Sequence, residues 1–391
     1  MLSPSPVSLL CALLLCVPLA VLFVAISPAT TPTSAADGGD LVRTPVAISP
    51  NRSRPNPLTT FKHTTKNQQE MANNITTNQR AEDSSDESLF RRAARVNLMP
   101  SPPRKLAFMF LTTAPLPFAP LWELYFHQAP RNLYNIYIHA DPRFRYHPPF
   151  SGVFEGRVIP SKPTSRHSPT LTSAARRLIS HALLHDRSNS RFALLSPSCI
   201  PLHSFEFTYA TLVGSGKSFI EILSNEVGAY ERWAARGEDA MLPEVPFEDF
   251  RIGSQFFVVT RRHARMIVRD RRLWAKFMLP CLVNDACYPE EHYFATLLSM
   301  KDPRGCVPAT LTHVDWAGRY DGHPRMYNAS EVGPDLILVL RSHRPRYGDE
   351  EMNGNDSSVT ERRDPFLFAR KFSPGSVPRL LRMANDVIFR D

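Results

Sequence analysis

Two adjacent carboxylates and a histidine, Glu290, Glu291 and His292, stand where a loop is predicted to become a helix. Pro289 precedes them, and proline favours the first turn of a helix. The apolar residues that follow recur at helical spacing and predict a docked face, namely Phe294, Leu297 and Leu298. The acidic end then lies at the rim of a pocket, where a carboxylate can act as a general base. The same carboxylates could instead only complement the positive end of the helix dipole.

Basic residues near the C-terminus could bind an anionic group. Arg370 and Lys371 are adjacent, and Arg341 follows a predicted strand. A basic pair of this kind is equally expected on a solvated surface. Residues 214–218 resemble the end of a phosphate-binding loop, but Thr211 stands where that motif needs glycine, and a strand is predicted to follow. We therefore expect no phosphate-binding loop there.

Polar residues at the ends of predicted strands suggest a ligand pocket. His139 and Asp141 share one face of a strand and could accept hydrogen bonds from a nucleotide. A second His-x-Asp pair, His313 and Asp315, occurs later, and with His323 a metal site can be imagined. Because nothing shows that these pairs are close, and because the chain has no Asp-x-Asp motif, we expect no bound metal.

Three further residues have two interpretations each. Trp316 could stack on a sugar ring or be buried, and Ser254 could line a donor or acceptor pocket together with its neighbours Arg251 and Gln255. For His292, a structural role is favoured over contact with a substrate.

Alternating strands and helices must position these residues. Short apolar runs predict strands at residues 106–111, 134–139, 158–159, 192–195, 219–223, 256–260, 310–314 and 336–340. Helical spacing predicts helices at residues 120–128, 170–185, 263–269, from 289 onward and at 377–385. This alternation favours an α/β domain with a mainly parallel sheet covered by helices, and such sheets bind ligands beyond the carboxyl ends of their strands.

The first hundred residues differ from the rest. Residues 8–26 carry no charge and are long enough to span a bilayer. A signal peptide is the rival interpretation, but no basic segment precedes the run and no clear cleavage site follows it closely. We predict a short cytoplasmic tail at 1–7, a transmembrane signal-anchor at 8–26, a flexible stem at 27–103 and one globular domain at 104–391. Glycosylation sequons occur at Asn51, Asn74, Asn328 and Asn355.

Charge and cysteine content limit the class of protein. The 391 residues carry a formal net charge of +9, but the excess arginine is scattered and no nucleic-acid-binding module is recognisable. We therefore exclude nucleic acid as the primary partner. Three cysteines flank the helix that carries Glu291, and in an oxidising compartment two of them could form a bridge whose pairing the spacing leaves open: Cys281, Cys287 and Cys306.

The segment from Cys287 to Thr296 resembles the Pro-acidic-Glu-His-aromatic signature of the core-2/I-branching β-1,6-N-acetylglucosaminyltransferases, and especially of their plant-type relatives. Other segments agree with the family in order and spacing, at residues 105–113, 137–141, 195–202, 251–262, 312–316 and 367–372. The resemblance covers about residues 104 to 383.

The resemblance implies a GT-A-like glycosyltransferase domain in the Golgi lumen, held by a type II membrane anchor. It implies inverting transfer from a UDP-sugar, with N-acetylglucosamine as the precedent, to a glycan, proteoglycan or polysaccharide acceptor without a metal. It places the catalytic base at Glu291 and a phosphate-binding lysine at Lys371, while Glu290 occupies a variable acidic position. A catalytically silent glycan-binding or scaffold protein is the alternative, and the presence of both Glu291 and Lys371 argues against it.

Overall fold

The computed structural model describes residues 86–318, 323–349 and 364–391. The predicted tail, transmembrane anchor and most of the predicted stem lie outside these residues, as do the sequons at Asn51, Asn74 and Asn355. Within the described ranges, no helix has the length and apolar character that crossing a membrane requires.

A six-stranded mixed sheet occupies the centre of the domain, with strand order β2-β1-β3-β6-β5-β7. Strand β1 lies parallel to β2 and β3, and β5 lies parallel to β7, whereas β6 is antiparallel to both of its neighbours. These strands are β1 (Lys105–Thr112), β2 (Tyr134–Ala140), β3 (Asn189–Leu195), β5 (Ser218–Phe219), β6 (Val258–Thr260) and β7 (Cys306–Val307). The mixed α/β class with a mostly parallel sheet is therefore confirmed.

A second, three-stranded sheet joins distant parts of the chain in the order β4-β9-β8. Its strands are β4 (Ile200–Pro201), β8 (Thr312–His313) and β9 (Phe368–Ala369). Because β9 pairs with both of the others, the residues that follow β8 and β9 emerge side by side.

Nine α-helices surround the sheets in the described part of the chain where both ends of the helix are defined. They are α1 (Ala119–His127), α2 (Thr170–His185), α3 (Phe205–Gly214), α4 (Ala229–Ala234), α5 (Arg261–Arg269), α6 (Arg272–Phe277), α7 (Pro289–Lys301), α8 (Pro334–Ser342) and α9 (Val377–Met383).

The core forms two apolar clusters because the side chains of β1 alternate between them. Phe108 and Phe110 pack into one cluster with Trp122 of α1, and Ala107 and Met109 pack into the other. The indole N–H of Trp122 donates to the carbonyl oxygen of Cys199 at 3.1 Å, so its polar atom is satisfied. Each large side chain buried in this way contributes about 1.5–3 kcal/mol. Both faces of the sheet are thus covered.

One predicted strand is wrong, and the strands predicted at 158–159, 219–223, 256–260 and 310–314 are shorter than expected. Residues 336–340 lie in helix α8, which begins with Pro334 after Gly333. An apolar run of five residues does not distinguish a strand from a buried helix, and Pro334 at the first helical position was the stronger signal. Residues 158–159 form only one parallel bridge, between Val158 and Ile138.

The packed domain begins earlier than expected. Residues 86–93 are helical, although they lie in the range predicted as a flexible stem, 27–103. Asp86 pairs with Arg177 and, at 3.2 Å, with Lys162. Ala93 is fully buried. The polar composition of this segment gave no indication of these contacts. Their partners, Lys162 and Arg177, also lie far away in sequence.

Candidate active site

A cleft of about 1190 Å³ opens at one edge of the central sheet. It is bounded by the carboxyl ends of β1 and β3, by the start of α7 and by the residues that follow β8 and β9. This is the edge at which parallel α/β sheets bind ligands. Nine of the residues that the sequence singled out line the cleft: Ser254, Gln255, Glu290, Glu291, His313, Trp316, His323, Arg370 and Lys371.

Glu291 lies in the first turn of α7 at the rim of the cleft, with 37% of its side chain exposed. Its Oε2 accepts a hydrogen bond from Nη1 of Arg232 at 3.2 Å. Burial raises the pKa of Glu291, and the positive charges of Arg232, Arg166 and Arg370 oppose that rise. A partly buried carboxylate of this kind can take up a proton from a bound hydroxyl group.

The start of α7 is fixed from behind by close backbone contact. The carbonyl oxygen of Glu291 accepts a hydrogen bond from the N–H of Gly253 at 2.8 Å. A Cβ at position 253 would lie 2.1 Å from the carbonyl oxygen of Glu221, so only glycine fits. The orientation of the first turn of α7 therefore depends on this glycine.

Two other carboxyl groups line the cleft near Glu291. Burial raises the pKa of Glu290 to about 7, and one oxygen of its carboxyl, Oε2, has no hydrogen-bond partner in the described part of the chain. Burial also raises the pKa of Glu221, which the sequence did not indicate, to about 7. The cleft thus holds carboxyl groups whose pKa values are poised for proton transfer near neutral pH.

His292 has a structural role in the fold, in line with the interpretation that the sequence favoured. It is fully buried, its ring packs 5.0 Å from the ring of Phe250, and burial lowers its pKa well below the usual value. It is not among the residues that line the cleft.

Arg370 and Lys371 follow β9 directly and both line the cleft, and neither side chain is fully exposed. The guanidinium carbon of Arg370 lies 4.6 Å from the ring centroid of Phe256, and burial lowers its pKa. The carbonyl oxygen of Lys371 accepts a hydrogen bond from the N–H of Tyr327 at 2.9 Å, which holds the backbone in place. The pair is not a simple solvated surface feature.

Four further arginines line the cleft and were not identified from the sequence: Arg166, Arg232, Arg344 and Arg346. Arg346 pairs with Glu226 at 2.8 Å, and Nη1 of Arg166 lies 3.1 Å from Nε2 of His323. These partners are 120 and 157 residues apart in the chain, so no local pattern could have revealed them.

Arg341 does not reach the cleft, contrary to expectation. Its guanidinium donates to the carbonyl oxygens of Val387 and Arg390 and to the carboxylate of Asp391. The error follows from taking residues 336–340 as a strand, because the helix directs this side chain toward the C-terminal segment.

His139 and Asp141 also lie outside the cleft lining. Burial and the neighbouring charge of Arg177 lower the pKa of His139 to about 4. The Asp141 carboxylate is buried, but hydrogen bonds from Arg143 and Thr164 hold its pKa well below the usual range. Asp141 therefore stabilises a loop rather than facing the cleft directly.

Asp315 and Trp316 are adjacent but have different surroundings. Asp315 accepts hydrogen bonds from Arg325 and from the hydroxyl of Tyr327, and it does not line the cleft. Trp316 lines the cleft and is 52% exposed, so the burial interpretation does not apply to it. Ser254 also lines the cleft, whereas the Arg251 guanidinium is bound to the carbonyl oxygens of Glu248 and Phe250.

The described residues contain no group of three or more His, Cys, Asp or Glu side chains arranged to hold a metal ion.

Among the cysteines of the described residues, Cys281 and Cys287 form a disulfide immediately before α7, and Cys199 and Cys306 are buried thiols. The sequon residue Asn328 is exposed.

Comparison with known proteins agrees with this geometry. Residues 106–341 match the family model described as Core-2/I-Branching enzyme. A protein of Oryza sativa subsp. japonica named Glycosyltransferase BC10 is 29% identical over 325 residues, which cover 74% of this chain and 80% of the rice protein.

Proposed function

The chain belongs to the Core-2/I-branching enzyme family and is a glycosyltransferase, and from this premise we propose that it transfers a sugar from a UDP-sugar to a glycan acceptor with inversion. The observation that carries the proposal is the presence of Glu291 and the Arg370–Lys371 pair in one cleft. A base and an anion-binding pair are the two components that such a transfer needs.

The reaction assigns one role to each side of the cleft. The acceptor hydroxyl attacks the anomeric carbon, and Glu291 removes its proton as the new C–O bond forms. The bond between the anomeric carbon and the diphosphate oxygen breaks, and its electron pair leaves with UDP. Attack opposite to the leaving group inverts the configuration at the anomeric carbon.

Arg370 and Lys371 neutralise the charge that develops on the departing diphosphate. Fixed positive charges in a partly water-excluded cleft stabilise such a transition state without a metal ion. Support comes from the position of both side chains in the cleft and from the lack of an Asp-x-Asp motif in the sequence.

The remaining assignments concern the substrate and the compartment. N-acetylglucosamine is the proposed donor sugar, and Trp316 offers an exposed aromatic face for a sugar of a glycan, proteoglycan or polysaccharide acceptor. The proposed location is the Golgi membrane, with residues 8–26 as a type II anchor and the catalytic domain in the lumen. A disulfide and an exposed sequon at Asn328 suit such an oxidising compartment.

The test is release of nucleotide by the full-length protein in detergent, with a panel of nucleotide sugars and glycan acceptors, with and without excess EDTA. We expect acceptor-dependent release of UDP that survives EDTA. Loss of activity on chelation, restored by Mn²⁺, would contradict the metal-independent mechanism. Failure of folded protein to use any donor would instead favour a silent glycan-binding protein.

A further inference from the structure

A firmly held loop precedes α2 and spans the space between β2 and the segment before α7. At one end, the N–H and hydroxyl of Thr164 donate to the carboxylate of Asp141 at 2.7 and 3.0 Å. At the other end, the N–H of Ser165 donates to the hydroxyl of Thr170 at 2.7 Å, and the Ser168 hydroxyl donates to the carbonyl oxygen of Ser165 at 2.8 Å. Hydrogen bonds thus tie the loop to the end of β2 on one side and to the start of α2 on the other.

His167 lies within this loop in an uncommon backbone conformation. Its φ angle is +56°, in the left-handed region that residues other than glycine rarely adopt. Non-glycine residues retain this conformation where surrounding contacts require it, often at functional sites. The contacts of the His167 side chain indicate which neighbours require this backbone conformation.

The His167 ring contacts the segment that leads into α7 in two ways. Its Nδ1 lies 2.8 Å from the carbonyl oxygen of Asn284, and because a carbonyl only accepts, Nδ1 carries the proton. The ring centroid also lies 5.0 Å from that of Tyr288. Asn284 sits inside the loop closed by the disulfide between Cys281 and Cys287.

From Tyr288 the contacts continue to the catalytic carboxylate. The guanidinium carbon of Arg232 lies 5.4 Å from the ring of Tyr288, which is cation–π distance. Nη1 of Arg232 in turn lies 3.2 Å from Oε2 of Glu291. An unbroken chain of four side chains thus links the loop to Glu291.

We propose that His167 is a positioning residue for the transfer reaction, which holds Tyr288 and, through it, the Arg232 guanidinium against Glu291. The inference rests on the proposed function in one respect, the role of Glu291 as base. His167 does not line the cleft itself, whereas Tyr288, which it contacts, does.

Loss of the His167 side chain should change the pH dependence of the reaction. The charged groups that face Glu291 are Arg232, Arg166 and Arg370, which lower its pKa against the effect of burial, and two neighbouring carboxyl groups, Glu221 and Glu290. If Arg232 is no longer held in place, the pKa of Glu291 rises. Because the base must be ionised, the acid limb of the activity profile then moves to higher pH.

The test compares two variants of the full-length protein in detergent. His167→Gly removes the side chain while accepting the left-handed backbone, and His167→Asn retains an N–H donor in a residue that tolerates this conformation. His127→Ala, at the exposed end of α1, is the matched control. Activity is measured with the nucleotide sugar and the glycan acceptor that the wild-type protein uses in the panel described above, and hydrogen exchange is followed in residues 281–291.

We expect His167→Gly to lower kcat about tenfold or more, to move the acid limb upward and to increase exchange in residues 281–291, with UDP affinity unchanged. His167→Asn should recover part of each effect. A wild-type pH profile and wild-type exchange in His167→Gly would overturn the proposal, as would a loss of kcat with an unmoved acid limb. If the wild-type protein uses no donor, the proposed function is wrong. Unchanged hydrogen exchange in His167→Gly would, independently of that result, contradict the contact chain from His167 to Glu291.

Discussion

The guanidinium of Arg232 donates to the carboxylate of Glu291 across 59 residues of sequence, with 3.2 Å between Nη1 and Oε2. Burial raises the pKa of this carboxyl group, and the arginine opposes that rise. Such a carboxylate, with burial and a neighbouring arginine acting on its pKa in opposite directions, suits the role of base that we propose for Glu291. Several expected outcomes depend on this pair and on the residues around it.

Replacing Glu291 by Gln should lower kcat by about 10²- to 10⁴-fold, because the amide keeps the volume of the side chain but cannot accept the proton. UDP binding should be retained, since the proposed diphosphate site is formed by Arg370 and Lys371 rather than by Glu291. Steady-state kinetics and calorimetric titration of UDP measure the two quantities. Glu231→Gln, an exposed change in α4, is the control. Near-full activity of Glu291→Gln would show that another residue is the base.

Replacing Arg232 by Gln should move the acid limb of the kcat/KM profile to higher pH. The sign follows because removal of a positive charge raises the pKa of Glu291, so a larger fraction of the base is protonated at a given acidic pH. Well above the limb, the base is ionised in both proteins. Profiles measured from acidic to neutral pH decide the point, and an unmoved or lowered limb would contradict it.

Replacing Lys371 by Ala should weaken UDP binding by about ten- to a hundred-fold or more, because a hydrogen bond to a charged group contributes roughly 1.5–3 kcal/mol. The free energy of unfolding should stay within about 0.5 kcal/mol of wild type, as for other changes outside the core. Calorimetric titration compares this variant with Lys301→Ala, an exposed lysine at the end of α7. Equal UDP affinities in the two variants would remove Lys371 from the donor site.

Replacing Gly253 by Ala should destabilise the domain by about 1–3 kcal/mol, because the added methyl meets the carbonyl oxygen of Glu221 and the backbone has to move. Activity should fall as well, since Gly253 holds the first turn of α7. Gly216→Ala is the matched control, because a Cβ there meets no atom within 4 Å. Thermal unfolding of both variants gives the comparison, and equal midpoints would refute the close contact.

The local sequence pattern was sufficient to predict a helix or strand where that element is long and its apolar spacing is regular. The helix predicted at 170–185 matches α2 (Thr170–His185) at both ends, because sixteen residues provide several turns of amphipathic spacing. The run at 336–340 was too short for such a decision, and the helix found there removed Arg341 from the candidate site. The wrong secondary structure at 336–340 thus led to the wrong assignment of Arg341 as a site residue.

The candidate site could be predicted only as far as its own motifs extend. Glu291 and Lys371 stand in recognisable segments, and both lie in the cleft. Arg232 and Glu221 stand in none, because their importance comes from packing against α7 rather than from neighbours in sequence. Asp141 marked the correct edge of the sheet, but its carboxylate is occupied by Thr164 and Arg143.

The helix at residues 86–93 determines how far the chain can be shortened from its N-terminus without loss of packing contacts. The rings of Phe90 and Trp274 both pack against the Arg176 guanidinium, each with its centroid 4.5 Å from the guanidinium carbon. Cleavage between residues 94 and 103 would separate Phe90 and Asp86 from the rest of the domain, so the buried Arg176 cation would lose one of its aromatic neighbours and Arg177 its carboxylate partner. A shortened protein therefore keeps these contacts only if the cut lies on the N-terminal side of Asp86.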